Sequence, residues 1–188
     1  MAELLGISGS LKTGSYNTAL LRAAAELVPE GSALDVATVH GIPLYDGDEE
    51  AQSGVPKQVE ALKARIAESD GLVIATPEYN NSMPGVLKNA IDWLSRPPKD
   101  IRRVFGGRPV VSMGATPGAK GTLLSQTAWL QVWRALGMRP WLETSLYVGG
   151  AGKLFSREGA LTDMETRKRL ENLMKGFVAF AKQNQPPS

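Results

Sequence analysis

The chain has 188 residues, of which 43% are apolar and 21% are charged, and this suits one globular domain with a full-sized core. Its formal charge of +2 is too small to indicate a nucleic acid or an anionic membrane as a partner. The absence of cysteine excludes disulfides, thiol catalysis and cysteine-ligated metal sites. Serine–histidine hydrolase chemistry or a histidine-clustered metal site would have to rest on the single histidine, His40.

Short apolar runs alternate with segments of helical periodicity along the whole chain. Buried strands are predicted at 4–8, 33–39, 71–76, 109–113 and 141–148. Helices are predicted from apolar spacing near 20–28, 55–66, 87–94, 121–136 and 170–181. Strand three, from Gly71 to Thr76, is continuously apolar apart from its ends, as a central parallel strand should be.

Five strands that alternate with five helices predict an α/β fold with a parallel sheet covered on both faces. Of the two common doubly wound orders, five strands favour the flavodoxin-like order 2-1-3-4-5. In that order the ligand crevice lies between strands one and three, at their carboxyl ends. The loops after those two strands are therefore the candidate functional segments.

No apolar run approaches the roughly 20 residues that a membrane-spanning helix needs, and the first residues show no pattern of an export signal. We therefore expect a cytoplasmic protein without a membrane partner. The chain shows no repeat and no long linker, so we expect a single domain over residues 1–188. The polar, proline-rich segment 183–188 is expected to be a frayed tail.

The loop after strand one, residues 9–17, contains two glycines, several hydroxyls, a cation and an amide. It leads into a helix, whose first N–H groups are unpaired and carry partial positive charge. Ser10, Lys12, Ser15 and Asn17 are therefore candidate ligands of a phosphate. The spacing matches neither the dinucleotide nor the P-loop pattern, which favours a phosphomonoester. The alternative is an ordinary turn in which Ser15 or Asn17 caps the helix.

The loop after strand three, residues 76–85, combines two prolines with an aromatic ring and two amides. Such a stiff, polar loop suits a planar heterocycle, with backbone groups from Glu78 to Asn80 at the edge of the ring and Tyr79 as a flat wall. The alternative is a rigid turn capped by Ser82. The two loops flank the same predicted crevice, which favours binding of a phosphorylated heterocycle.

Two sequence blocks, 9–17 and 77–96, make the chain resemble the NADPH-dependent FMN reductase family, and within it the bacterial chromate and quinone reductases. The second block, from Pro77-Glu78-Tyr79-Asn80 to Ser95-Arg96, is long and specific. The resemblance covers roughly residues 3–180 and implies a flavodoxin-like fold, bound FMN, NAD(P)H as co-substrate, and dimers or tetramers.

The resemblance also implies a set of cofactor-binding residues. The phosphate and ribityl chain are expected to be bound by Ser10, Leu11, Lys12, Ser15, Tyr16 and Asn17. The isoalloxazine ring is expected to contact Pro77, Glu78, Tyr79 and Asn80. Ser112 to Gly114, which are expected to follow strand four, close the far side of the ring. Lys12 stands where the family usually has arginine, which keeps the charge and loses a two-pronged hydrogen bond. The match is poor around Lys120 and Leu146, where related reductases form a tetramer contact, so the dimer is the firmer expectation.

The expected activity is two-electron transfer from NAD(P)H to a quinone, chromate, an azo compound or free flavin by a ping-pong mechanism, with the protein supplying position and electrostatics. No side chain is expected to act as a catalytic acid or base. The alternatives are a flavodoxin-type carrier that passes single electrons, and a nucleotide-binding regulator without enzymatic activity. A sequence pI of about 8.9 gives little support to the acidic docking face of a carrier.

Several remaining residues have a structural and a functional interpretation. Segment 46–50 is expected to be either a mobile rim of the site or a solvated acidic loop, and His40 a surface residue at the end of a strand. Trp129 and Trp133 lie four residues apart, which indicates a core or interface stripe. Trp93 is expected to pack on the face of the third helix or at a subunit contact. Arg102 and Arg103 are expected to be a solvated pair, with a site for the 2′-phosphate of the nicotinamide nucleotide as the alternative.

Overall fold

The computed structural model describes residues 1–185, so residues 186–188 of the predicted tail lie outside the described part. The strands are β1 Ala2–Ser8, β2 Ser32–Thr38, β3 Gly71–Ala75, β4 Pro109–Ala115, β5 Arg139–Pro140 and β6 Leu146–Val148. The α-helices are α1 Tyr16–Leu27, α2 Gly47–Ser53, α3 Lys57–Glu68, α4 Gly85–Leu94, α5 Ile101–Val104, α6 Leu123–Ala135 and α7 Met164–Gln183. Within the described residues, no helix combines the length and apolar character needed to cross a membrane.

The sheet is parallel and has the order β2-β1-β3-β4-β5, with β6 also paired to β4. This confirms the flavodoxin-like order 2-1-3-4-5. At the fifth position of the sheet, the structure has two short strands where one strand was predicted at 141–148. Strand β5 pairs with the start of β4, and β6 pairs with its end. The last bond of the β4–β5 ladder runs from the N–H of Trp141 to the carbonyl of Val110 over 2.8 Å, and the chain then leaves the sheet before β6.

Helices cover both faces of the sheet, and alternate strand residues enter two separate cores. Helices α1 and α7 pack on one face, against strand residues such as Val73 and Met113. Helices α3, α4, α5 and α6 pack on the other face, against residues such as Ile7 and Ile74. Each fully buried side chain of this size contributes about 1.5–3 kcal/mol. The doubly wound arrangement therefore rests on the period-two pattern of the strands.

Two assignments made from the sequence are wrong: the end of strand β4 and the loop after Asp46. Strand β4 runs on to Ala115, so Ser112 and Gly114 lie inside the strand and not after it. The segment after Asp46 forms the short helix α2, whose N-terminus is capped by the Asp46 carboxylate, and it is not a loop. The acidic residues of its first turn favour a helix start, because they face the positive end of the helix dipole.

The three tryptophans considered above are core residues. Trp129 and Trp133 stack in α6 with ring centroids 4.8 Å apart, and their indoles donate to Thr76 and Ser112 respectively. Trp93 is 1% exposed and donates to the carbonyl of Pro43. The stripe on α6 is therefore explained by packing against the sheet.

Candidate functional site

The loops after β1 and β3 meet at the carboxyl edge of the sheet, as the strand order requires. Gly9 donates its N–H to the carbonyl of Ala75 over 2.9 Å. A Cβ at Gly9 would lie 2.6 Å from Leu87 and 3.1 Å from Pro77. Only glycine permits this approach, which brings the two loops together without a side chain between them.

The loop after β1 presents free backbone donors at the start of α1. Ser15 is the N-cap residue, and its hydroxyl accepts from the N–H groups of Asn17 and Thr18. Among residues 1–185, no acceptor is found for the N–H groups of Ser10, Leu11, Thr13, Gly14 and Tyr16. Unpaired N–H groups at a helix N-terminus form an anion site in which the helix dipole adds to the hydrogen bonds.

The side chains of this loop complete the anion site. Ser10 and Ser15 are buried, and each hydroxyl accepts a backbone N–H, from Lys12 and from α1 respectively. A hydroxyl that accepts one hydrogen bond still has its own proton to donate. Lys12 is exposed and supplies a positive charge, while Leu11 is 43% exposed and offers apolar surface. The loop therefore combines the chemical groups that a phosphate with an attached chain requires.

Two predicted ligands in this loop have side chains directed into the protein. Asn17 is 4% exposed, and its amide exchanges two hydrogen bonds of 3.0 Å with the backbone of Ala115. Tyr16 packs its ring against Phe155, with centroids 5.5 Å apart. The Asn17 side chain ties the phosphate loop to the end of β4, so its contribution to a bound ligand is to position the loop. No local pattern indicates this contact, because the two partners lie 98 residues apart.

The loop after β3 ends in a tight two-residue turn. Tyr79 and Ser82 exchange backbone hydrogen bonds of 3.1 Å, and Asn80 and Asn81 between them have φ values of 50° and 60°. Positive φ at both central positions defines a type I′ turn, in which asparagine is favoured. The turn holds the Tyr79 ring 48% exposed at the edge of the sheet. Pro77 is buried at its base.

Helix α6 anchors this loop through Glu78 and Thr76. The carboxylate of Glu78 accepts from the N–H groups of Leu124 and Ser125, at 2.8 and 3.1 Å, and thereby caps α6 from another loop. The Thr76 hydroxyl contacts Ser125 and the Trp129 indole. The Glu78 side chain is thus structural. The Pro77 carbonyl accepts from the Thr76 hydroxyl over 3.0 Å, whereas the N–H of Glu78 has no acceptor among the described residues.

A third loop, Thr116–Gly121, follows β4 directly and was not identified from the sequence. It contacts the chain beyond β6, where a Cβ at Gly149 would lie 2.2 Å from the carbonyl oxygen of Ala119. The glycine, proline and alanine residues of this segment are typical of a loop and could have identified it from the sequence. Ser112 accepts from Trp133, and Gly114 gives space to Thr76 and Thr122.

The region beyond β2 is tied to both the phosphate loop and α4. His40 is exposed, as expected, and its ring nitrogens contact Thr38 and the carbonyl of Leu11, at 3.0 and 3.1 Å. Glu50 lies in α2, and its carboxylate is 2.8 Å from the guanidinium of Arg96, which follows α4. The hydrogen bond from Arg96 lowers the pKa of the Glu50 carboxyl. Glu50 in turn accepts from Tyr45, and this hydrogen bond raises the pKa of the phenol. Helix α2 is thus attached by polar contacts, since none of its side chains is buried.

A backbone anion site next to a rigid, exposed aromatic turn, on a 2-1-3-4-5 sheet, defines a flavin mononucleotide-binding protein of the flavodoxin-like class. FMN fits the residues present: the free N–H groups and hydroxyls suit its phosphate, and the backbone groups of Glu78 and Asn80, which have no partner among the described residues, suit the polar edge of its ring. A model of the NADPH-dependent FMN reductase family matches residues 2–153. The chain belongs to this family, and FMN is its cofactor.

Relatives and solved structures agree with this membership. The chain is 40% identical over 180 residues to an NAD(P)H-dependent FMN reductase of Pseudomonas aeruginosa, covering 96% of this chain and 95% of the relative. It is 37% identical over 176 residues to a 2-hydroxy-1,4-benzoquinone reductase of Burkholderia sp., covering 94% of each. The structure of the flavoenzyme NAD(P)H:(acceptor) oxidoreductase FerB from Paracoccus denitrificans superposes with a TM-score of 0.87 at 29% identity, covering 98% of this chain and 100% of that one.

Proposed function

We propose that this enzyme transfers two electrons from NAD(P)H to quinones by a ping-pong mechanism. The observation that carries the proposal is the openness of the site beside the Tyr79 turn. Tyr79, Asn80 and Asn81 are all exposed at the edge of the sheet, so no segment within residues 1–185 covers them. One open face must therefore serve the donor and the acceptor in turn.

The protein's own contribution is binding and positioning. Ser10, Ser15 and Lys12 hold the phosphate with the free N–H groups of their loop, while the Pro77–Asn80 backbone faces the ring and Tyr79 borders the open side. Bound FMN supplies the hydride and two-electron chemistry. Backbone N–H groups near the ring favour negative charge on it and require no side chain to act as an acid or base.

The relatives support quinones as the acceptor class, because several of them are named as quinone reductases. A shallow site with few buried polar groups discriminates weakly between flat acceptors, since strong rejection requires site groups that a wrong substrate leaves unpaired. We therefore include chromate and azo compounds in the proposal. The cytoplasmic location expected from the sequence also remains part of it.

Steady-state kinetics with varied NAD(P)H and a benzoquinone test the mechanism. Parallel double-reciprocal lines are expected, because NAD(P)H and the quinone use the same face in turn. For the same reason, high quinone concentrations should inhibit the enzyme competitively with respect to NAD(P)H. Intersecting lines would show that both bind together and would overturn the ping-pong proposal. Failure of NAD(P)H to bleach the flavin of the FMN-loaded protein would favour the carrier alternative.

We further propose a symmetric dimer formed through the β3 loop, α4 and α6. A groove of about 390 Å³ between α4 and α6 has the apolar side chains Met83, Ile91, Val132 and Leu136 in its walls. On α6, Leu124 is 39% exposed, and its N–H is bonded to the carboxylate of Glu78, the residue before Tyr79. Apolar surface that continues from the site into a groove is typical of a homodimer interface. A twofold contact here would place both flavins near the interface.

A further inference from the structure

The hydroxyl of Thr76 makes three hydrogen bonds at the point where β3 passes into the loop that follows it. Its oxygen lies 3.0 Å from the indole nitrogen of Trp129, 2.9 Å from the Ser125 hydroxyl and 3.0 Å from the carbonyl oxygen of Pro77. Thr76, Ser125 and Trp129 have no exposed surface. Two side chains of α6 therefore meet the start of the loop at one buried oxygen.

The chemistry of the partners fixes the direction of each bond to this hydroxyl. An indole nitrogen can only donate and a carbonyl oxygen can only accept, so Trp129 donates to Thr76 and Thr76 donates to Pro77. A hydroxyl has one proton and two lone pairs. Since the proton of Thr76 is directed to Pro77, Ser125 donates to the second lone pair. The hydroxyl is thus saturated, and its proton is held on the Pro77 carbonyl.

The bond to the Pro77 carbonyl sets the orientation of the peptide group between Pro77 and Glu78. This peptide is trans and planar, so its C=O and its N–H point in opposite directions. Because Thr76 holds the carbonyl, the N–H of Glu78 points away from Thr76, and it has no acceptor among residues 1–185. The loop therefore presents a fixed donor, and rotation of this peptide would present a carbonyl in its place.

The neighbouring contacts hold the rest of the loop independently of this hydroxyl. The Glu78 carboxylate accepts from the N–H groups of Leu124 and Ser125, and Tyr79 exchanges backbone hydrogen bonds with Ser82. Neither contact involves the Pro77 carbonyl. Loss of the Thr76 hydroxyl would therefore release one peptide group and leave the loop attached to α6.

We propose that Thr76 is a positioning residue that locks the Pro77–Glu78 peptide with its N–H toward N5 of the flavin ring and thereby disfavours one-electron reduction. The proposal rests on the proposed function, in which the backbone of this loop faces the ring. It gives a physical reason for electron transfer in pairs, because the lock opposes the uptake of the first electron and not of the second.

The hydrogen bonding of N5 explains why the two electrons differ. In the oxidised ring N5 is an acceptor; one electron and one proton convert it to an N–H donor, and the second electron leaves this N–H in place. A locked Glu78 N–H stabilises the acceptor form and gives the donor form no partner. A released peptide can turn the Pro77 carbonyl toward N5–H, which favours both reduced forms over the oxidised one.

Anaerobic titration of the FMN-loaded protein with dithionite, which supplies the electrons, tests the proposal without NAD(P)H or a quinone. Visible absorbance and electron paramagnetic resonance give the equilibrium constant for radical formation from oxidised and reduced flavin. Thr76→Val keeps the shape of the side chain and should raise this constant by about fivefold or more, because only the potential of the first electron rises. Thr76→Ser keeps the hydroxyl and should match the wild type.

The double variant Thr76→Val with Trp129→Phe guards against misfolding, because it also removes the buried indole donor that Thr76→Val leaves unpaired. It should raise the constant as Thr76→Val does. Thr166→Val removes a hydroxyl from a buried position of α7, on the opposite face of the sheet, and should leave the constant unchanged.

An unchanged constant in the Thr76→Val and double variants with FMN bound would overturn the lock, as would an equal rise in Thr76→Ser or Thr166→Val. The proposed function fails by a different observation. A wild-type protein that binds FMN and does not oxidise NAD(P)H would overturn that function, whereas the dithionite titration alone decides the role of Thr76.

Discussion

At the scale of single residues, Lys12 is the side chain whose role in the FMN site is most directly measurable. It is exposed beside the free N–H groups of its loop, and a charged hydrogen bond contributes roughly 1.5–3 kcal/mol. Lys12→Ala should therefore weaken FMN binding by about ten- to a hundredfold and riboflavin binding much less. Lys182→Ala, at the far end of α7, is the control. Equal losses for FMN and riboflavin would show that Lys12 does not contact the phosphate.

Asn17 is the residue that connects the phosphate loop to the rest of the sheet. Asn17→Asp keeps the shape but replaces the donor nitrogen that bonds the Ala115 carbonyl with a second acceptor oxygen. A buried carbonyl that loses its partner costs about 1–3 kcal/mol, so we expect the melting temperature of the FMN-free protein to fall by several degrees. Asn172→Asp makes the same change at an exposed position of α7 and should have little effect. Similar melting temperatures for the two variants would contradict a positioning role for Asn17.

At the scale of elements, Lys63 joins α3 to the end of α4 and to the segment before α5. It is fully buried, and its ammonium lies 2.5 Å from Asp100, 2.8 Å from Glu60 and 2.8 Å from the carbonyl of Arg96. The hydrogen bond from Lys63 lowers the pKa of Asp100. The three hydrogen-bond donors of the buried Lys63 ammonium all have acceptors. Removing the Asp100 carboxylate would leave the buried charge without one of its two charged partners.

Asp100→Asn should lower the free energy of unfolding by about 1–3 kcal/mol near pH 7. Because the folded pKa of Asp100 lies below the unfolded value of about 3.9, its stabilising contribution is complete above that pH and is lost as the pH falls through the lowered pKa. The difference in urea midpoint between the two proteins should therefore narrow below pH 4. Glu60→Gln, which changes an exposed partner, should cost less. A difference that stays constant from pH 3 to pH 7 would show that the Asp100 charge is not involved.

The sequence predicted those elements whose signals are local. Strands β1 to β4 and the longer helices were found because apolar periodicity is read within ten residues, whereas the short helices α2 and α5 were missed. The fifth strand position was predicted as continuous, since nothing near Pro140 shows that β4 takes two separate partners. The Glu78 cap on α6 and the bond between Asn17 and Ala115 join residues 46 and 98 positions apart. Such contacts depend on tertiary packing. The site as a whole was predicted from the strand order, which brings both loops to one crevice, and from the resemblance of the two loop blocks.

At the scale of the whole molecule, the two faces of the sheet differ in how completely they are covered. Helices α1 and α7 close one face over a continuous core. On the other face, the groove between α4 and α6 and the exposed leucines at the start of α6 leave apolar surface beside the site. Leu123 and Leu124 are 41% and 39% exposed, next to Tyr79 at 48%. This asymmetry assigns the proposed dimer contact to the face of α4 and α6.

Replacing Leu124 by lysine tests this assignment. In the proposed twofold dimer, the patch packs against its own copy, so each charge would be buried in apolar surroundings without a partner. We expect the wild type to have the mass of two chains by light scattering at micromolar concentration, and Leu124→Lys to have the mass of one. Met164→Lys introduces the same charge at a position 76% exposed, at the start of α7 on the opposite face, and should leave the dimer intact. A monomeric wild type with FMN bound would refute the dimer, and a dimeric Leu124→Lys protein alongside a monomeric Met164→Lys protein would move the interface to the face of α1 and α7.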